Sequence, residues 1–132
     1  MTTEISYDVL GDFPISIHQY QCESSAWLCG YLGVPKSHPW YGLTTHSDVE
    51  IDVHGGITFP WPEYIPDEDF PHNLEGLDIW WIGFDCNHFN DQANPKSLAY
   101  VQQVLKELVE QAAEAWQAAQ EVEAKLKVVQ EV

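Results

Sequence analysis

Residues 94–132 read NPKSLAYVQQVLKELVEQAAEAWQAAQEVEAKLKVVQEV, and this stretch decides the architecture. Asn94 is a good N-cap, Pro95 has the preset φ of a first helical residue, and no Pro or Gly follows. Apolar or alanine positions recur at Leu98, Val101, Leu105, Leu108, Ala112, Ala115, Ala119, Val122, Leu126 and Val129, in alternating steps of three and four. Such steps form a heptad register. One helix of roughly 50 Å is expected at ~1.5 Å per residue, whereas a compact domain of this length has a radius of gyration of about 14 Å. The helix must therefore overshoot. Its first half, with Leu98, Val101, Leu105 and Leu108, is expected to pack on a sheet. Its second half, from Ala112 and including Trp116, would face water unless a second copy covers it, so self-association through the helix, most simply as a dimer, is expected.

Working back from the helix, residues 79–84 (IWWIGF) are apolar on both faces and read as a strand in the middle of a covered sheet. Residues 60–78 contain four prolines and many acids, the signature of a long irregular loop. Val49, Ile51 and Val53 alternate with Glu50 and Asp52, and Gly55-Gly56 then turns the chain into 57–59, which predicts a hairpin. Residues 13–20 and 26–34 read as strands, 35–45 as a loop, and 1–12 as a frayed end or an edge strand. The sum is an α+β fold: an acidic, β-rich globular domain over 1–94 with a small, mainly antiparallel sheet, and a long C-terminal helix over 95–132 that extends beyond it.

The 132 residues carry 21 acids against five lysines and no arginine, a formal net charge of −16. The imbalance is concentrated in residues 1–94, where Lys36 is the single base. Such a surface repels nucleic acid and anionic lipid, because affinity for both comes largely from Lys and Arg. A solvated surface, a bound cation or a basic protein partner remain as uses for the charge. No apolar run approaches the ~20 residues of a membrane span. The first ten residues include Glu4 and Asp8 with no basic n-region, so a cytoplasmic location is expected. Three cysteines make an odd count, which favours free thiols.

Two clusters at predicted strand ends could carry chemistry. Val53-His54-Gly55-Gly56 places a histidine before two permissive glycines, and Gly83-Phe84-Asp85-Cys86-Asn87-His88 offers three competent side chains in four residues. If the strands are neighbours, His54, Asp85 and His88 could hold a divalent metal such as zinc. Equally, Cys86 or Cys29 beside a histidine has the makings of an activated nucleophile. The structural alternative has His54 bonding its own hairpin, Asp85 capping a turn and Cys86 acting as a small hydrophobe. His38-Pro39-Trp40-Tyr41-Gly42 is an aromatic loop that could form the lip of a pocket, with Trp81 and Cys29 as further ligand-binding candidates. Asp67-Glu68-Asp69 lacks the alternating spacing of a calcium loop.

The motifs Cys29-Gly30-Tyr31-Leu32-Gly33-Val34-Pro35, His38-Pro39, Val53-His54-Gly55-Gly56-Ile57-Thr58 and Trp80-Trp81-Ile82-Gly83-Phe84-Asp85-Cys86-Asn87-His88 occur in an order that resembles a family of small tailed-phage and prophage proteins of uncharacterised activity. The resemblance runs from about residue 26 to 108 and implies a phage setting, hence the cytoplasm of a bacterial host, and an accessory role. In that setting the acidic domain is expected to inhibit a host defence or nucleic-acid-processing protein by occupying its basic channel, as a DNA mimic does. A small hydrolase using Cys86 with His54 or His88, or a metal, is the first alternative. A sponge for a small signalling molecule is the second, although a chain without arginine is poorly equipped to grip phosphates.

Overall fold

The computed structural model describes residues 2–23, 25–60, 78–87 and 96–130. Four antiparallel strands, β1 (Thr2–Leu10), β2 (Phe13–Cys22), β3 (Ser25–Pro35) and β4 (Ile79–Asp85), pair in the order β1-β2-β3-β4. The helix α1 (Leu98–Gln130, 33 residues) crosses one face and touches β3 most extensively. The fold is the α+β arrangement expected from the sequence. Leu10 pairs with Phe13 across a tight turn in which Gly11 sits at φ 62°, a conformation that favours glycine.

Period-two alternation sorts the strands into two faces. Phe13, Ile17, Leu32, Ile82 and Phe84 point to the helix and meet Val101, Leu105, Leu108 and Ala112, which are fully buried or nearly so. Side chains of this size contribute roughly 1.5–3 kcal/mol each on burial. The opposite face carries a second buried cluster of Cys29, Tyr31, Phe59 and Trp81. Gly30 and Gly83 make the close packing possible. A Cβ on Gly30 would stand 2.6 Å from the Phe84 ring, and one on Gly83 would stand 2.4 Å from Tyr31.

Three expectations need correction. Residues 49–58 are not a hairpin of strands; only Phe59 forms a bridge, to Gly83. Strand 79–84 lies at the sheet edge rather than in its middle. Its apolar faces are nonetheless covered, by α1 on one side and by Tyr31 and Phe59 on the other, while the Phe59 bridge occupies part of its free edge. Finally, Ala112 is fully buried and Ala115 and Trp116 are half-buried against the core, so α1 packs for a full turn more than its heptads implied. Ser97 caps the helix: its Oγ accepts the Tyr100 N–H at 3.1 Å and its carbonyl accepts the Val101 N–H. The proposed caps Asn94 and Pro95, most of the 60–78 loop and the Asp67-Glu68-Asp69 run lie outside the described residues.

Candidate functional site

The turn that carries His54 leans on α1, not on β4. Gly56 N–H closes the turn onto the Val53 carbonyl at 2.9 Å. Gln111 then takes the place of a strand partner: its side-chain amide donates to the Asp52 carbonyl at 2.7 Å and accepts the Asp52 N–H at 2.9 Å. His54 Nδ1 shares a 2.8 Å hydrogen bond with the Tyr100 hydroxyl, and Lys96 Nζ lies 5.3 Å from the centre of the Tyr100 ring. The result is a cleft of about 690 Å³ between this turn and the helix. Among the described residues Asp52, Glu107, Glu110 and Glu114 line it together with His54 and Gln111, and no lysine does. The three glutamates are exposed and recur at helical steps of three and four, which puts them on one face of α1.

Asp85 and Cys86 follow each other at the end of β4 and point to opposite faces. The Asp85 carboxylate accepts the Asn87 N–H at 3.0 Å, an Asx turn. Cys86 is buried in the helix-side core and its N–H donates to the Leu28 carbonyl. His88 lies outside the described residues. Among the described residues no three His, Cys, Asp or Glu side chains gather as a metal ion requires.

Cys29 and Trp81 sit on the sheet face away from α1. Burial pushes the Cys29 thiol up to about 11, Asp85 beside it adds to the rise, and hydrogen bonds to Tyr31 and Trp27 oppose it. A nucleophile needs the reverse shift. Register explains the neighbours. Glu4 pairs with His18, His18 with Cys29 and Cys29 with Asp85, so one polar row crosses all four strands. Within it His18 Nε2 lies 2.8 Å from Ser16 Oγ and 4.0 Å from Glu4 Oε1. Ser16 Oγ also reaches Glu4 Oε1 at 3.2 Å and the Ser6 carbonyl at 3.4 Å, so it joins the histidine to the first strand. Both Ser16 and His18 are buried, and Tyr31 meets the imidazole edge-on at 5.3 Å.

The aromatic loop is built around His38. Its Nε2–H donates to the Ala112 carbonyl at 2.8 Å, and its Nδ1 accepts the Trp40 N–H at 2.9 Å. The two partners fix the neutral tautomer, and burial lowers the imidazole's pKa below its ordinary value, against the opposing pull of the Ala112 carbonyl. Phe13, Trp40 and Trp116 surround the ring at 5.5, 5.2 and 5.7 Å. His38 and Trp40 thus hold the loop to the helix in the protein interior rather than line an open pocket.

Sequence reasoning missed Ser16 and His18, whose signal was an i, i+2 polar pair in a strand flanked by apolar residues. It also missed Gln111 and the glutamate face of α1, which the three-and-four spacing of Glu107, Glu110 and Glu114 displays. No helix of the described residues is long and apolar enough to cross a membrane. No family model, no curated protein and no solved structure matches the chain.

Proposed function

We propose that the protein acts by binding, as an acidic inhibitor that occupies a basic, nucleic-acid-binding surface of another protein. The phage resemblance of its sequence motifs makes a host defence or nucleic-acid-processing protein the partner. The observation that carries this reading is the cleft beside α1, which Asp52, Glu107, Glu110 and Glu114 line together. Along the helix the three glutamates are spaced about 4.5 and 6 Å apart at 1.5 Å per residue, the same order as the ~3.4 Å per charge of a single nucleic-acid strand. The net charge of −16 adds long-range attraction to a basic partner and speeds encounter. The hydrolase alternative has less support, because Cys86 is buried in the core and the Cys29 thiol is held protonated. A phosphate-bearing signalling molecule would meet the same carboxylates as repulsion.

The test is capture of a partner from host lysate by the native protein and by the triple variant Glu107→Gln, Glu110→Gln, Glu114→Gln, followed by kinetics with the identified partner. The native protein is expected to hold a partner that nucleic acid displaces, with association slowing at least tenfold between about 50 mM and 500 mM salt. A partner held equally well by the triple variant, or without salt dependence, overturns the reading.

A further inference from the structure

Beyond Ala119 every described side chain of α1 is exposed, including Val122, Leu126 and Val128 at 58, 57 and 63%. Charge identifies what covers this tail. Residues 117–130 contain two glutamates and two lysines and are neutral, whereas the sequence as a whole stands at −16. Two copies approaching by any other part of the surface repel each other. A neutral apolar tail is where they can meet.

Tail against tail is too small by itself. At about 1.5 Å per residue the stretch is roughly 21 Å long and 10 Å wide, which covers on the order of 200 Å² per copy; a stable interface needs about 800 Å² per partner. The missing area lies at the base of the tail. There a groove of about 620 Å³ is walled by Val9, Ile79 and Trp116, with a mainly apolar lining. Its rim holds Asp12, Asp78 and Lys36, the last being the single base of residues 1–94. The tail offers matching groups, Lys125 and Lys127 for the two aspartates and Glu121 and Glu123 for Lys36.

We infer that the protein forms a two-fold dimer in which the helical tails run antiparallel and each tail end docks in the Trp116 groove of the other copy. A parallel pair would set two strongly acidic domains side by side. The antiparallel pair puts them at opposite ends of about 20 Å of helix, beyond the 8–10 Å over which charge acts at ordinary ionic strength. Such an interface is isologous and closed, so assembly stops at two. It is independent of the acidic cleft.

Sedimentation of the full chain tests this. A dimer is expected at micromolar concentration. Leu126→Glu should give a monomer with unchanged secondary structure, since Leu126 lies outside the core. Val9→Glu and Lys36→Glu should each weaken the dimer at least tenfold. In a Cys22→Ser background, Val9→Cys and Val128→Cys proteins should form a disulfide between copies when mixed. A native protein that stays monomeric at 100 μM overturns the dimer. A dimer insensitive to the groove variants, or the missing cross-link, overturns the antiparallel docking.

Discussion

His38 Nε2 donates a 2.8 Å hydrogen bond to the carbonyl of Ala112, joining residues 74 apart in sequence. That carbonyl belongs to the middle of α1, so a loop side chain fixes where the helix sits on the sheet. Phe13 and Trp116 close over the bond and exclude water from it. The contact links the loop after β3, the helix and the start of β2.

Removing this bond should be costly. His38→Ala leaves the buried Trp40 N–H without its partner and removes the second bond of the Ala112 carbonyl, which keeps its helical one, so about 1–3 kcal/mol of stability should be lost. Denaturant unfolding measures it. His38→Asn, which can keep the contact to the Trp40 N–H, should lose less. Equal losses in the two variants would show that ring packing, not hydrogen bonding, is what matters.

The same residue makes stability depend on pH. Its folded-state pKa is lowered from 6.5, so the neutral form is favoured by folding. Below 6.5 the unfolded chain takes up a proton that the folded chain resists, and stability falls as pH drops from 6.5 through the lower folded value. Above 6.5 the contribution is complete. The difference in unfolding free energy between the native protein and His38→Asn should therefore shrink on acidification from pH 7.5 to 5. A difference constant over that range contradicts the assignment.

Glycine 83 should tolerate no side chain. A Cβ there would approach Tyr31 Cδ1 to 2.4 Å and the Gly30 carbonyl oxygen to 2.9 Å, and the second obstacle is backbone. Gly83 also accepts the Thr58 N–H and exchanges hydrogen bonds with Phe59, so moving it opens the Phe59 bridge. Gly83→Ala should cost about 1–3 kcal/mol by overpacking. Gly42→Ala, with open space around its Cβ, should cost less despite its φ of 87°. Thermal unfolding of both variants ranks them.

How much of this was legible follows from what each signal encodes. The alternation in 13–20, the dense apolar run of 26–34 and the heptads of α1 report burial of regular elements, and all three elements are where the patterns placed them. Val49, Ile51 and Val53 alternate just as well without forming a strand. Ile51 and Val53 pack against the core from an irregular segment, and Gln111 supplies the backbone partner that a neighbouring strand would have given. A period of two in side chains does not reveal who satisfies the main chain. The polar row from Glu4 to Asp85 was hidden for a different reason. It exists only once three separate strand registers are set, and each register depends on turns and a β-bulge near Glu4 that single-strand patterns do not contain. His54 was visible as a turn histidine, but its partner Tyr100 is 46 residues away on a helix face.

Thiol reactivity separates a binding protein from a cysteine enzyme. Cys22 is exposed near the end of β2, while Cys29 and Cys86 are buried. The Cys29 thiol, pushed up to about 11, carries almost no thiolate at pH 8. Cys86 offers no accessible sulfur, since it is 4% exposed and packed in the helix-side core. Under native conditions iodoacetamide at pH 8 should modify Cys22 alone, and denaturant should release the other two. Peptide mass spectrometry over time gives the three rates. A Cys29 or Cys86 alkylated as fast as Cys22 in the folded protein would favour the hydrolase reading, because only a reachable thiolate reacts at that rate. Slow modification of both, at a rate that follows global unfolding in a denaturant series, is the result expected of structural thiols and removes the cysteine-hydrolase reading.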